Sequence, residues 1–87
     1  MKDEILIVED DPAQAEIFVT AVKVSGLPVT HLNNGAQALE YILEHAPRLI
    51  VLDLHLPDLN GDNLLQAIRQ NAQTAAAKVI LATADPA

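Results

Sequence analysis

Three of the four apolar runs in this chain are continuous: Ile5-Leu6-Ile7-Val8, Leu49-Ile50-Val51-Leu52 and Val79-Ile80-Leu81-Ala82. Successive side chains of a strand point to opposite faces, so a strand with one wet face alternates apolar and polar residues. A run that is apolar at every position needs cover on both faces, the condition of a strand inside a parallel sheet flanked by helices. The remaining run is Val29-Thr30-His31-Leu32. Between the runs lie segments of helical spacing. Residues 12–25 carry Ile17, Phe18, Ala21, Val22 and Val24, with Asp11 as N-cap, Pro12 at the first helical position and Gly26 as the terminating glycine. Residues 36–45 place Ala36, Leu39, Ile42 and Leu43 on one stripe, capped by Asn34, and residues 62–71 contribute Leu64, Leu65 and Ile68. Strand and helix alternate three times and a fourth strand follows. This predicts an open, right-handed, parallel α/β sheet.

Eighty-seven residues without an internal repeat or linker predict one domain, residues 1–87. The low-complexity stretch 71–77 reads as a helix end followed by a surface loop. Asp85-Pro86-Ala87 repeats the chemistry of Asp11-Pro12-Ala13, as if a further helix began there. The sheet is accordingly expected to be a truncated one, with only a stub of its fourth helix.

Charge and composition narrow the function. Five basic residues against twelve acidic ones give a net charge of −7, which repels phosphate backbones. Phe18 and Tyr41 are the only aromatics, too few for a base-stacking platform. Direct nucleic-acid binding is not expected. The absence of cysteine removes disulfides, thiolate zinc sites and thiol nucleophiles. The acidic start, Lys2-Asp3-Glu4, is unlike a signal peptide, and no stretch approaches the ~18 apolar residues of a membrane span. A cytoplasmic domain that does not engage a membrane is the expectation.

In open α/β sheets, ligands bind beyond the carboxyl ends of the strands. Acidic residues fall at those ends here: Glu9, Asp10 and Asp11 follow the first run and Asp53 follows the third. If these strands are neighbours, the carboxylates converge and repel one another. A hard divalent cation relieves that repulsion, and Mg²⁺ typically takes one or two carboxylates, a carbonyl and waters. Asp11 reads mainly as the helix cap. His55 stands near the acids, but Mg²⁺ prefers oxygen, so its imidazole reads as an exposed loop side chain; His45 suits the end of a helix.

These residues make a specific pattern. Ile-Leu-Ile-Val-Glu9-Asp10-Asp11 is followed by Leu-Ile-Val-Leu-Asp53, with Pro57 four residues on and Gly61 eight on, and then by Val-Ile-Leu-Ala-Thr83. The pattern resembles the response-regulator receiver domain, the phosphoacceptor module of two-component signalling. The resemblance covers all 87 residues, about two-thirds of the family's usual length. It implies an α/β, open, doubly wound, flavodoxin-like parallel sheet, here of four strands in order 2-1-3-4 with three helices. It also implies that Asp53 accepts a phosphoryl group from a phosphohistidine on a histidine kinase or phosphotransfer protein. Asp10 and Asp53 match direct ligands of Mg²⁺ (or Mn²⁺), the His55 backbone carbonyl a third, and Glu9 a ligand through water. Thr83 matches the hydroxyl that senses the phosphoryl group, and Pro57 and Gly61 match residues that shape the loop, proline by fixing φ and glycine by permitting φ > 0.

The departures carry expectations too. The family's lysine-bearing fifth strand and its later helices lie beyond the 87 residues, and Lys78 precedes the fourth strand at the opposite end. Phosphorylation of this chain is therefore expected to be impaired. The alternative is a phosphorylation-independent interaction module on the same scaffold. An aspartyl phosphatase is disfavoured because that chemistry wants a second aspartate where His55 stands, and the chain is not expected to be an enzyme. The run Val79, Ile80, Leu81 and Ala82 would be an exposed sheet edge, from which a homodimer or higher oligomer is expected.

Overall fold

The computed structural model describes residues 2–82. Along the chain these form strand β1 (Lys2–Val8), helix α1 (Pro12–Val22) with a 3₁₀ turn (Lys23–Ser25), strand β2 (Val29–Leu32), helix α2 (Gly35–His45), strand β3 (Pro47–Asp53), helix α3 (Gly61–Gln70) and strand β4 (Lys78–Ala82). All pairings are parallel and the order is β2-β1-β3-β4. The strand–helix alternation, the strand order and the three helices expected from sequence are all present.

The continuous apolar runs are explained by two separate cores. Leu6 and Val8 of β1 and Ile50 and Leu52 of β3 face α2 and α3, where they meet Ala38, Ile42, Leu64 and Ile68. The intervening Ile5, Ile7 and Val51 face α1 and pack with Phe18, Val19, Val22 and Leu27. Every residue from Ile5 to Val8 is therefore buried, whichever way it points.

The caps follow the sequence closely. Asp11 Oδ1 accepts from the Ala13 N–H at 3.1 Å, with Pro12 opening the helix. Asn34 Oδ1 accepts from Gln37 N–H at 2.9 Å and Asn60 Oδ1 from Asp62 N–H at 2.7 Å. Gly26 adopts φ 78°, but it ends the 3₁₀ turn and not the α-helix itself.

Two helical faces differ from their apolar stripes. On α2 the buried residues are Gly35, Ala38 and Ile42, with Leu39 half-buried, whereas Ala36 and Leu43 are exposed. Small residues set the contact surface there, and their weak hydrophobicity hides it from a pattern search. On α1 the packed face is Ala15, Phe18, Val19 and Val22, a spacing of three and four, which leaves Ile17 and Ala21 outside, along with Val24 of the following 3₁₀ turn.

Two polar features hold the far end of the sheet. Glu4, expected as part of an acidic chain start, is a buried residue of β1 whose Oε1 accepts from Tyr41 Oη at 2.7 Å; Lys2 Nζ lies 3.7 Å away. A buried carboxylate requires such partners. The stretch 71–77 is turn, as expected, but it is firmly anchored: Thr74 Oγ1 donates to the Ile68 carbonyl at 2.7 Å, and Arg69 donates to the carbonyls of Ala75 at 2.8 Å and Ala77 at 2.6 Å. Thr74 is completely buried.

β4 differs from the inner strands. Ile80 is 52% and Leu81 46% exposed, and among the described residues no strand pairs with its outer edge. The carboxyl ends of β1 and β3 lie side by side, with Val8 beside Leu52.

Candidate functional site

The register of β1 and β3 decides where the acids go. Glu9 and Asp10 leave β1 at the same edge at which Asp53 closes β3. Glu9, Asp10 and Asp53 each present a carboxylate oxygen, and these three atoms lie within 4.8 Å of one another. Glu9 is 4% and Asp53 7% exposed, while Asp10 is open to solvent. Asp11 stays on its helix cap and is not one of the converging acids.

Backbone groups fix the two buried acids. His55 N–H donates to Asp53 Oδ1 at 3.0 Å, and Asp11 N–H lies 3.4 Å from Glu9 Oε2. His31 Nε2 is 2.7 Å from the Glu9 carbonyl. A carbonyl only accepts, so His31 must carry its proton on Nε2 there. The sequence had assigned His31 no role. Its contact joins residues 22 apart and no local spacing announces it.

Burial pushes the Glu9 carboxyl up from 4.5 to about 7, helped by its hydrogen bond with Asp53 and by the Asp53 charge. Burial also acts on Asp53, in the upward direction. There it is outweighed by hydrogen bonding with Glu9, by the His55 N–H and by hydrogen bonding with Asp10, so Asp53 is held below its ordinary value. Crowding thus displaces the two acids in opposite directions, Glu9 upward and Asp53 downward. Three carboxylates at this spacing could hold a hard divalent cation.

The loop 54–60 carries the remaining candidates. An antiparallel bridge between His55 and Asn60 closes its base, and Gly61 N–H donates to the Leu54 carbonyl at 3.3 Å. Gly61, which follows this loop, does not take the positive φ expected of it; among the glycines within the described residues positive φ belongs to Gly26 alone. A Cβ on Gly61 would lie 2.7 Å from Leu54 Cα and 2.9 Å from the Asp53 carbonyl. Close approach of backbone is what requires glycine here. Pro57 lies exposed in the same loop, as does the His55 residue. Asp58, which sequence reasoning passed over, accepts at the loop tip from the Gly35 N–H at 2.7 Å and the Ala36 N–H at 3.0 Å. These hydrogen bonds hold its carboxyl below the ordinary range. Lys78 pairs with Leu49, at the end of the sheet away from Asp53, as expected. Thr83 lies outside the described residues, as do Asp85, Pro86 and Ala87.

A family model for the response regulator receiver domain matches residues 5–87. The chain belongs to that family. Receiver domains are signalling modules of two-component systems. Among curated relatives, this receiver is 35% identical over 72 residues to the DNA-binding response regulator MtrA of Mycolicibacterium smegmatis, an alignment covering 83% of this chain and 32% of that protein. It is 30% identical over 84 residues to the polar-differentiation response regulator DivK of Brucella anthropi, covering 97% of this chain and 68% of the relative. The chain therefore spans about a third of the length of MtrA and two-thirds of DivK. In solved structures, the signal receiver domain of a Luxo repressor protein from Vibrio parahaemolyticus superposes with a TM-score of 0.86 at 34% identity, covering 100% of this chain and 65% of that one. No helix among the described residues is long and apolar enough to cross a membrane.

The displaced Glu9 titration has a measurable sign. An acid whose folded value is raised takes up a proton on folding between its unfolded and folded values. Without metal, stability should therefore be full below about 4.5 and fall as pH rises through about 7. Asp53, held low, is ionised in both states across that window and adds no slope. Urea melts in chelator at pH 5 and pH 7.5 should show the receiver more stable at pH 5, with the difference reduced in Glu9→Gln. Equal stability of the native chain at the two pH values would contradict the buried, protonated Glu9.

Proposed function

We propose that residues 1–87 act as a receiver unit in which Asp53 is the phosphoacceptor. The convergence of Glu9, Asp10 and Asp53 at one sheet edge is the observation that carries this reading. Asp10, Asp53 and the His55 backbone carbonyl would hold Mg²⁺ or Mn²⁺, with Glu9 acting through a water. When bound, the cation neutralises charge on the acids and on the transferring phosphoryl oxygens.

The donor is a phosphohistidine on a histidine kinase or a phosphotransfer protein. An ionised Asp53 oxygen attacks phosphorus, an aspartyl phosphate P–O bond forms, and the P–N bond breaks. The bonding pair returns to the imidazole nitrogen, which takes a proton as it leaves. The low pKa of Asp53 supports its role as attacking carboxylate. The His55 N–H leaves one oxygen, Oδ1, engaged and orients the group. Thr83 follows Ala82, the Cα partner of Asp53, and is assigned the hydroxyl that senses the phosphoryl group. Pro57 and Gly61 give the 54–60 loop its course.

Transfer to residues 1–87 alone is slow in our reading, because among the described residues no lysine lies at the site and Lys78 starts β4 at the far end. It lies four residue steps along the strand from Asp53's partner Ala82, roughly 13 Å at strand rise. Loss of one oriented positive donor costs about 10²–10³ in rate in comparable sites. Intact-mass spectrometry after acetyl phosphate and Mg²⁺ should show partial addition of one phosphoryl group, abolished in Asp53→Asn. Rapid and complete modification would refute the lysine argument, and modification elsewhere would refute the acceptor.

A second copy of the chain is the proposed occupant of the open β4 edge. Ile80 and Leu81 are exposed and, among the described residues, no strand pairs with the outer backbone of β4, whose charged residue is Lys78; a two-fold axis would let two such edges pair and close. Light scattering coupled to size exclusion should give a mass above 9.3 kDa that rises with concentration. A folded species that stays at 9.3 kDa up to high micromolar concentration would exclude this association.

A further inference from the structure

We propose that Asp58 is a positioning residue for the phosphoacceptor loop, anchoring its tip to the start of α2 so that the His55 backbone is held beside Asp53. This rests on the phosphoacceptor and metal reading above.

The loop 54–60 is held at two places. Its base is closed by the His55–Asn60 bridge and the Gly61–Leu54 hydrogen bond. Its tip would otherwise project from the molecule, since Pro57 and Asp58 are both exposed. Asp58 ties that tip to a different element, using both carboxylate oxygens on consecutive N–H groups: Gly35 at 2.7 Å and Ala36 at 3.0 Å. These are among the N–H groups that a helix start leaves without an internal partner. The helix's own cap, Asn34, reaches a different one, Gln37. Division of labour between a local cap and a distant one means that α2 does not need Asp58 to have a cap.

An apolar contact reinforces the tie. Leu59 sits against Gly35 so closely that a Cβ on Gly35 would lie 2.4 Å from Leu59 Cβ. Gly35 is buried under the loop. The polar and apolar contacts together fix the tip in position and in orientation.

What the tip controls is the other limb of the loop. His55 lies three residues before Asp58, and its N–H already engages Asp53 Oδ1. The same residue supplies the carbonyl assigned to the cation. Metal sites lose affinity when the groups that orient their ligands are removed, typically 10–100-fold. Asp58 touches neither cation nor phosphoryl group; it acts through the loop backbone.

The test is Mn²⁺ affinity, read as free-ion signal by electron paramagnetic resonance on the 87-residue chain. Asp58→Ala should weaken Mn²⁺ binding about 10-fold, within the range for orienting groups. Asp58→Asn, which keeps one acceptor oxygen, should fall between Asp58→Ala and the native chain. Asn34→Ala removes the neighbouring cap of the same helix without touching the loop, and should leave Mn²⁺ affinity unchanged. Native affinity in Asp58→Ala, or an equal loss in Asn34→Ala, would overturn the positioning role. If Asp58→Ala does not fold, Asp58→Asn decides alone: weakened binding supports the role and native affinity overturns it. Failure of the native chain to bind Mn²⁺ at all has a different signature, and would remove the metal reading itself and the positioning role with it.

Discussion

Parallel pairing of β1 with β3, in a register that sets Val8 beside Leu52, makes two strands end together at one edge of the sheet. Both strands are apolar at consecutive positions because each carries a helix-covered core on either face. A one-residue slip would exchange the two faces of a strand. Each face is buried against different helices, so that register is strongly specified. The acids that follow the strands inherit their positions from this packing. Glu9 and Asp53 are drawn together by the burial of Ile5 through Val8 and of Ile50 through Leu52, not by any attraction of their own.

That convergence is a local cost carried by the rest of the fold. Crowded carboxylates oppose ionisation, and here the conflict resolves by division: Glu9 keeps its proton up to about 7 while Asp53 is held low. Backbone N–H groups from Asp11 and His55 and the His31 ring at the Glu9 carbonyl hold the arrangement in place. Gly61 lets backbone approach within contact of Asp53, and Asp58 carries the far limb of the loop onto α2. Sites that bind by preorganisation need such support, because small errors in position are costly.

Much of this was legible in the sequence, for a physical reason. Strand burial writes itself into consecutive apolar residues, and Asp11, Asn34 and Asn60 are side chains whose capping role follows from local chemistry, though only the first two were read as caps. The aspartates at strand ends pointed to the site because topology places such ends together. What was illegible was non-local or small. Asp58 and Gly35 meet across 23 residues, His31 and Glu9 across 22, and Tyr41 and Glu4 across 37. No spacing rule connects them. The packed face of α2 was misread because glycine and alanine make it, and the reason for Gly61 was misread because close approach, unlike a turn, leaves no local signature.

The central claim is that the three converging acids form a cation site, and metal-dependent stability tests it most directly. A ligand that binds only the folded state at ~10 times its Kd adds about 1.4 kcal/mol. Thermal melts of the 87-residue chain should therefore show the midpoint rising with Mg²⁺, and the rise should vanish when Asp10→Asn and Asp53→Asn are combined. A midpoint unmoved by millimolar Mg²⁺, or a rise that survives in the double variant, would contradict the account.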